Sequence, residues 1–198
     1  MIGIINYGLG NIKAISNVYH KLDIPVKMVQ REEDFTGVQK LILPGVGAFD
    51  YAMELLHKHQ LKPFLDTLVL EQKMPILGIC VGMQILANKS EEGKSPGLGW
   101  IDGIVKKFDT TNIRTKTKLP HMGWNDVEGR SDAALFDNLR PSMFYFLHSF
   151  YMECAEEKDI LAVADYGGGF CCAVQHENIF GVQFHPESVL TPLGVQMI

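Results

Sequence analysis

The chain has 198 residues, 46% of them hydrophobic and 21% charged, with a formal net charge of −5, which gives apolar material for one ordinary core and excludes a disordered chain. The acidic balance argues against a nucleic-acid partner, whose usual mark is a basic face; the one basic cluster, Lys106, Lys107, Arg114, Lys116 and Lys118, reads as a solvated edge. No apolar run approaches the ~18–20 residues that cross a bilayer, and the N-terminus lacks a basic region and a small-residue cleavage site, so a cytoplasmic protein without membrane contact is expected.

In chain order, residues 2–6 read as a buried strand and Tyr7-Gly8-Leu9-Gly10-Asn11 as a turn. Ile12, Ile15, Val18, Tyr19 and Leu22 then recur at helical spacing up to Asp23-Ile24-Pro25. Strands at 25–29 and 41–43 follow, then the loop Pro44-Gly45-Val46-Gly47 and a helix from about Phe49. An amphipathic stretch covers 63–72, and a strand at 75–79 passes into a helix over 81–89. Repeated strand–helix units with apolar strands imply a mostly parallel sheet, doubly wound, with helices on both faces. The second half changes character: 104–108, 143–151, 161–166, 170–175 and 179–184 are strand-like with little helix between, as expected of extra antiparallel strands. Without repeat, linker or low-complexity segment, residues 1–198 read as a single domain, with 91–97 and 110–118 as mobile loops.

Cys154, Cys171 and Cys172 read as small buried residues, and no C-x-x-C spacing suggests a disulfide or a redox pair. No His, Asp and Glu cluster has ligand spacing, so no metal is expected. His20, His57, His59 and His176 read as structural.

Cys80 stands apart. Gly78-Ile79-Cys80-Val81-Gly82 ends a buried strand and enters a helix, the cysteine form of a nucleophile elbow. Such a turn leaves no space for side chains two positions either side, and it aims the thiol outward at a first helical turn, which favours thiolate. The Val81 N–H would face an oxygen on the carbon under attack. A buried strand-end cysteine packed by glycines is the plain alternative. Phe184-His185-Pro186-Glu187 supplies the groups that alternative lacks: an imidazole to hold the thiolate and a carboxylate to fix the imidazole, joined by a rigid proline.

In this order, nucleophile mid-chain and His-x-Glu near the end, the motifs resemble the class I, triad-type glutamine amidotransferases. The resemblance implies a flavodoxin-like three-layer α/β fold and a Cys80–His185–Glu187 triad. The reaction implied is hydrolysis of glutamine to glutamate and ammonia through a thioester, with no cofactor. Asn6-Tyr7-Gly8-Leu9-Gly10-Asn11, Leu43-Pro44-Gly45-Val46-Gly47-Ala48-Phe49, Leu119-Pro120-His121-Met122-Gly123-Trp124-Asn125 and Phe144-Tyr145-Phe146-Leu147-His148-Ser149 are similar to segments of one branch. That branch is the glutaminase subunit of imidazole glycerol phosphate synthase in histidine biosynthesis. It implies an oxyanion hole at Val46, Gly47 and Val81, and a substrate pocket with Gly47, Gln84, His148, Ser149 and Phe150. It also implies a heterodimer with a (β/α)8-barrel cyclase through Asn11, His121, Trp124, Asn125 and Tyr145. The Gly45-Val46-Gly47 loop, in which a peptide rotates cheaply, is expected to gate the oxyanion hole.

The sequence departs from this branch in three places. Ser188-Val189-Leu190-Thr191-Pro192 replaces the usual Lys-Ser after His-Pro-Glu and resembles the anthranilate and aminodeoxychorismate synthase glutaminases. Phe150 replaces a usual tyrosine, and with the sequence ending soon after Met197 a shortened C-terminal helix is expected. A glutaminase for another synthase, surface-sugar synthesis included, a non-catalytic relative, and a cysteine protease or hydrolase stand as rival readings.

Overall fold

The computed structural model describes residues 1–131, 134–136 and 142–188. The first part of the chain forms β1 (Ile2–Ile5), α1 (Ile12–Lys21), β2 (Val26–Val29), β3 (Lys40–Gly45), α2 (Phe49–Lys58), α3 (Leu61–Asp66), β4 (Ile76–Cys80) and α4 (Val81–Gln84). The rest forms β5 (Lys89–Ser90), β6 (Gly103–Lys107), β7 (His121–Gly129), β8 (Ser142–His148), β9 (Phe150–Cys154), β10 (Ile160–Asp165), β11 (Gly169–His176) and β12 (Ile179–Val182). None of the described helices is long and apolar enough to cross a membrane.

The main path of the sheet runs β2-β1-β3-β4-β12-β11-β10-β7-β8. β2, β1, β3, β4 and β12 pair in parallel, the order of a flavodoxin-like doubly wound sheet. From β12 onward the path is antiparallel. β5, β6 and β9 lie off it, β9 joining through Met152 opposite Cys171. The parallel strands are apolar on both faces because helices cover both. α2, for example, buries Phe49, Ala52, Met53 and Leu56, one stripe at helical spacing. α1 begins where the Asn11 side chain accepts the Ala14 N–H at 3.3 Å and ends before Asp23, whose φ of 55° breaks the helix.

Three expectations from the sequence differ from the structure. The helix over 81–89 stops at Gln84: Asn88 N–H turns to Gly103 O, and Lys89 pairs with Ile104 in parallel. The strand over 143–151 divides at Ser149, since β8 pairs with β7 whereas β9 pairs with β6. β7, the longest strand, was unanticipated. Residues 91–97 and 110–118 do lie in loops, the first fastened by Asp50, whose carboxylate accepts the N–H groups of Lys94 and Ser95. Residues 189–192 and Met197 lie outside the described residues.

Candidate active site

Cys80 ends β4 with φ 56° and ψ −113°, left-handed backbone that a side-chain-bearing residue adopts only when its surroundings enforce it. The enforcement is steric. A Cβ on Gly82 would strike the Leu43 carbonyl oxygen, and one on Gly78 would sit 2.5 Å from Gly82 O. The turn is therefore pressed against β3, and Gly45 at the end of β3 pairs with Cys80 itself. The thiol emerges at the carboxyl edge of the sheet, where doubly wound folds place their sites. Because α4 has only four residues, its dipole is a small part of what the sequence had suggested for the thiolate.

β12 runs beside β4 in parallel register, Val182 opposite Ile79, and so delivers His185 to the same edge. The His185 N–H donates to Tyr145 O at 2.9 Å, which fastens this stretch to β8. Its imidazole Nδ1 lies 3.0 Å from Glu187 Oε1, and its ring stands beside the Cys80 side chain, close enough for the two to interact. Burial alone would pull the imidazole down, but the bonds and charges of Cys80 and Glu187 outweigh it and lift His185 to about 10. The neighbours of the ring thus favour its protonated form. Glu187 is buried, and its Oε2 has no partner among the described residues.

A cavity of about 260 Å³ opens over the thiol, lined by Val46, Gly47, Cys80, Val81, Gln84, Glu92, Leu147, His148, Ser149, Phe150 and His185. It unites the triad's cysteine and histidine with every residue expected for the oxyanion hole and the substrate pocket. A larger groove of about 440 Å³, lined by Ile42, Leu77 and Phe180 among others, holds no cysteine, histidine or carboxylate among its described lining residues. Chemistry, not size, singles out the smaller one. Val81 opens α4, so its N–H has no partner within the helix. Gly47 has φ +91° with open space where a Cβ would stand, and Val46 is exposed. On one side of this loop the Tyr7 hydroxyl donates to Pro44 O at 2.6 Å; on the other Phe49 N–H donates to Glu92 Oε2 at 2.9 Å.

Two residues in or beside the site were not anticipated. Glu92 brings a carboxylate to the pocket from a loop with no sequence signature. Gln183 is wholly buried, with Nε2 3.7 Å from Cys80 Sγ. A polar residue between Val182 and Phe184 in an apolar strand end was the available signal.

The residues expected at a partner face fall into two sets. Trp124 and Tyr145 are cross-strand neighbours on β7 and β8, their rings 5.7 Å apart, on the outer face with exposed Met122, Met143 and Leu147. Asn11 is exposed at the start of α1. His121 is instead buried, stacked between Tyr166 and Phe146 at 4.0 and 4.7 Å, and reaches outward through Asn125.

Residues 3–198 match the model of the family described as glutamine amidotransferase class-I. The chain is 50% identical over 188 residues, 94% of this chain and 92% of the relative, to the imidazole glycerol phosphate synthase subunit HisH of Leptospira interrogans. The Bdellovibrio bacteriovorus HisH gives the same identity and coverage. The Pseudomonas aeruginosa subunit HisH 2 is 43% identical over the same shares. Among solved structures, a glutamine amidotransferase superposes with a TM-score of 0.75 at 20% identity, covering 99% of this chain and 97% of that one. PurLQS from Thermotoga maritima superposes with 0.71 at 18% identity, covering 98% of this chain and 90% of that one. These two establish a shared fold.

Proposed function

The chain belongs to the class I glutamine amidotransferase family, and on that footing we propose that it is the glutaminase subunit of an imidazole glycerol phosphate synthase in histidine biosynthesis. The observation that carries the chemistry is Cys80 held at φ 56° beside an imidazole whose other nitrogen faces Glu187 at 3.0 Å. In this reading the thiolate attacks the side-chain amide carbon of glutamine, and the carbonyl oxygen turns toward the Val81 N–H and the Val46–Gly47 peptide. His185 gives its proton to the departing nitrogen, which leaves as ammonia, and a thioester remains on Cys80. The now neutral imidazole takes a proton from water, hydroxide adds to the thioester, and glutamate leaves as the thiolate re-forms. Glu187 holds the ring. Glu92 in the pocket suits the substrate ammonium, and Gln84 with the 148–150 strand ends would hold its other polar groups.

Ammonia passes to a (β/α)8-barrel cyclase docked on the outer face of β7 and β8. Exposed Met122, Trp124, Met143 and Leu147 support this reading, because together they form an apolar patch at the mouth of the site. The loop between Pro44 and Phe49 is the gate. Its ends are tied to Tyr7 and Glu92, while Val46 and Gly47 between them have room to rotate. The test is a steady-state glutaminase assay on the chain alone, with the cyclase, and with the cyclase plus its nucleotide ligand. Slow turnover alone and a rise of about 10²–10³-fold on full assembly is expected, the value of one oxyanion donor. Full activity in the lone chain refutes gating. One observation favours a second reading, a glutaminase for another synthase: Ser188 stands beside the triad where this branch usually carries lysine. Failure of the cyclase to bind, with intact glutaminase chemistry, would select it.

A further inference from the structure

We propose that Gln183 is a positioning residue for the nucleophile, donating a side-chain N–H to Cys80 Sγ and so favouring thiolate over thiol. The proposal rests on the reading of Cys80 as the nucleophile. It starts from three facts: Gln183 is wholly buried, its Nε2 lies 3.7 Å from the sulfur, and the four-residue α4 offers little dipole of its own. A hydrogen bond to a charged acceptor is stronger than one to its neutral form, so a fixed donor shifts the balance toward the anion. Tyr7, a further polar side chain near the thiol besides the His185 imidazole, is no substitute as a donor. Its hydroxyl proton is committed to Pro44 O at 2.6 Å.

Which end of the Gln183 amide meets the sulfur follows from groups that can only accept. Phe150 O accepts from Gln84 Nε2 at 3.1 Å, which fixes the orientation of Gln84. The other N–H of that nitrogen goes to Gln183 Oε1 at 3.0 Å. An inverted Gln183 would set two NH2 groups against each other, so its nitrogen must face Cys80. The same carbonyl orders the far side. Phe150 O lies 2.8 Å from His148 Nδ1, so that nitrogen carries the proton, and His148 Nε2 accepts from His121 Nδ1 at 3.0 Å. His121 Nε2 accepts in turn from Asn125 Nδ2 at 3.3 Å, a nitrogen fixed by its bond to Asp165 O at 2.8 Å. Both imidazoles are kept neutral, burial lowering His121 to about 4 and His148 to about 3. Two backbone carbonyls thereby orient every amide and ring from the β7 surface to the sulfur.

The test is the pH dependence of Cys80 alkylation by iodoacetamide, read on the Cys80 peptide by mass spectrometry, in the full chain and in Gln183→Glu and Gln183→Leu. Gln183→Glu keeps the acceptor for Gln84 and replaces the donor by a like charge. It should move the alkylation profile up by more than about one pH unit, and Gln183→Leu by about one, or tenfold in rate below the midpoint. With the partner bound, Gln183→Glu should lower kcat about tenfold and leave KM for glutamine within twofold, an outcome a merely structural residue would not give. Superimposable alkylation profiles overturn the proposal. Should either variant fail to fold, the native chain still decides. The side-chain amide NMR signal of Gln183 must follow the midpoint of Cys80 alkylation and lose that inflection in Cys80→Ser; an indifferent signal overturns the proposal. Native protein alkylated at Cys154 or Cys171 but never at Cys80 would be a different failure, that of the nucleophile reading itself.

Discussion

Replacing Glu187 with glutamine removes the charge behind His185 without changing the length of the side chain. Glu187 Oε1 faces His185 Nδ1 at 3.0 Å, and Oε2 is buried with no partner among the described residues. The amide can keep the first contact only by placing its NH2 group at the second position, as an unmet buried donor. A hydrogen bond between charged groups contributes about 1.5–3 kcal/mol. Its weakening should lower the imidazolium's hold on its proton by about one to two pH units. The neighbours of His185 lift it to about 10, and under the proposed function the departing nitrogen has no proton donor above that value. The alkaline limb of glutaminase activity should therefore move down by one to two pH units, about that shift. Stability must follow the same sign. A raised imidazole stabilises the fold fully below its ordinary value of about 6.5, and that stabilisation is lost as pH rises through about 10. Native protein should accordingly lose more Tm between neutral pH and pH ~10 than Glu187→Gln does. The assays are pH–rate profiles with the partner bound and thermal melts over the same range. An alkaline limb that stays in place refutes the reasoning.

Three further outcomes are expected. Gly82→Ala forces a Cβ onto the Leu43 carbonyl, all rigid backbone, and should destabilise the fold by about 1–3 kcal/mol in urea melts while lowering Cys80 alkylation. His148→Leu strands the His121 Nδ1–H and removes one donor from Phe150 O; a loss of about 1–3 kcal/mol in urea melts and a raised KM for glutamine are expected, because residues 148–150 line the pocket. Trp124→Ala should weaken cyclase binding by at least about tenfold in calorimetry, as truncation of an aromatic anchor does, with little change in the melting of the lone chain.

The strands and motifs that bring Cys80, His185 and Glu187 to one edge were legible because they obey local rules. β1, β3 and β4 are runs of apolar residues, and the glycines around Cys80 report a close approach that no other residue permits. β7 was illegible for a physical reason. Its outward positions include Met122 and Trp124, while its inward positions include His121 and Asn125, so the alternation runs opposite to that of a strand facing water. The inner polar groups are satisfied by one another and by Asp165 O, partners that sequence spacing cannot supply. The helix over 81–89 failed in the same way. Met83, Gln84, Leu86, Ala87 and Lys89 favour a helix, but Gly97 N–H donating to Asn88 O and the pairing of Lys89 with Ile104 are long-range contacts that outweigh propensity. Glu92 lay beyond reach because its place in the pocket comes from what it meets, and the one signal at Gln183, a polar residue in an apolar strand end, does not name the atom it meets.

The period of two along β8 explains how a surface and a reaction centre can share one element. The Tyr145 side chain stands on the outer face beside Trp124, and its carbonyl oxygen holds the His185 N–H at 2.9 Å. Phe144 and Phe146, one position either side, point inward and pack against Phe184, the residue before His185. A load on the outer face is thus one peptide away from His185. Cys80 is insulated by contrast, since the close packing of Gly78 against Gly82 and of Gly82 against Leu43 confines the turn that carries it. Under the proposed function, a docked partner would therefore act on the imidazole and the Val46–Gly47 peptide, the compliant parts. Turnover would change while the thiol kept its place, and partner-dependent activation should appear in kcat and in the His185 limb before it appears in Cys80 alkylation.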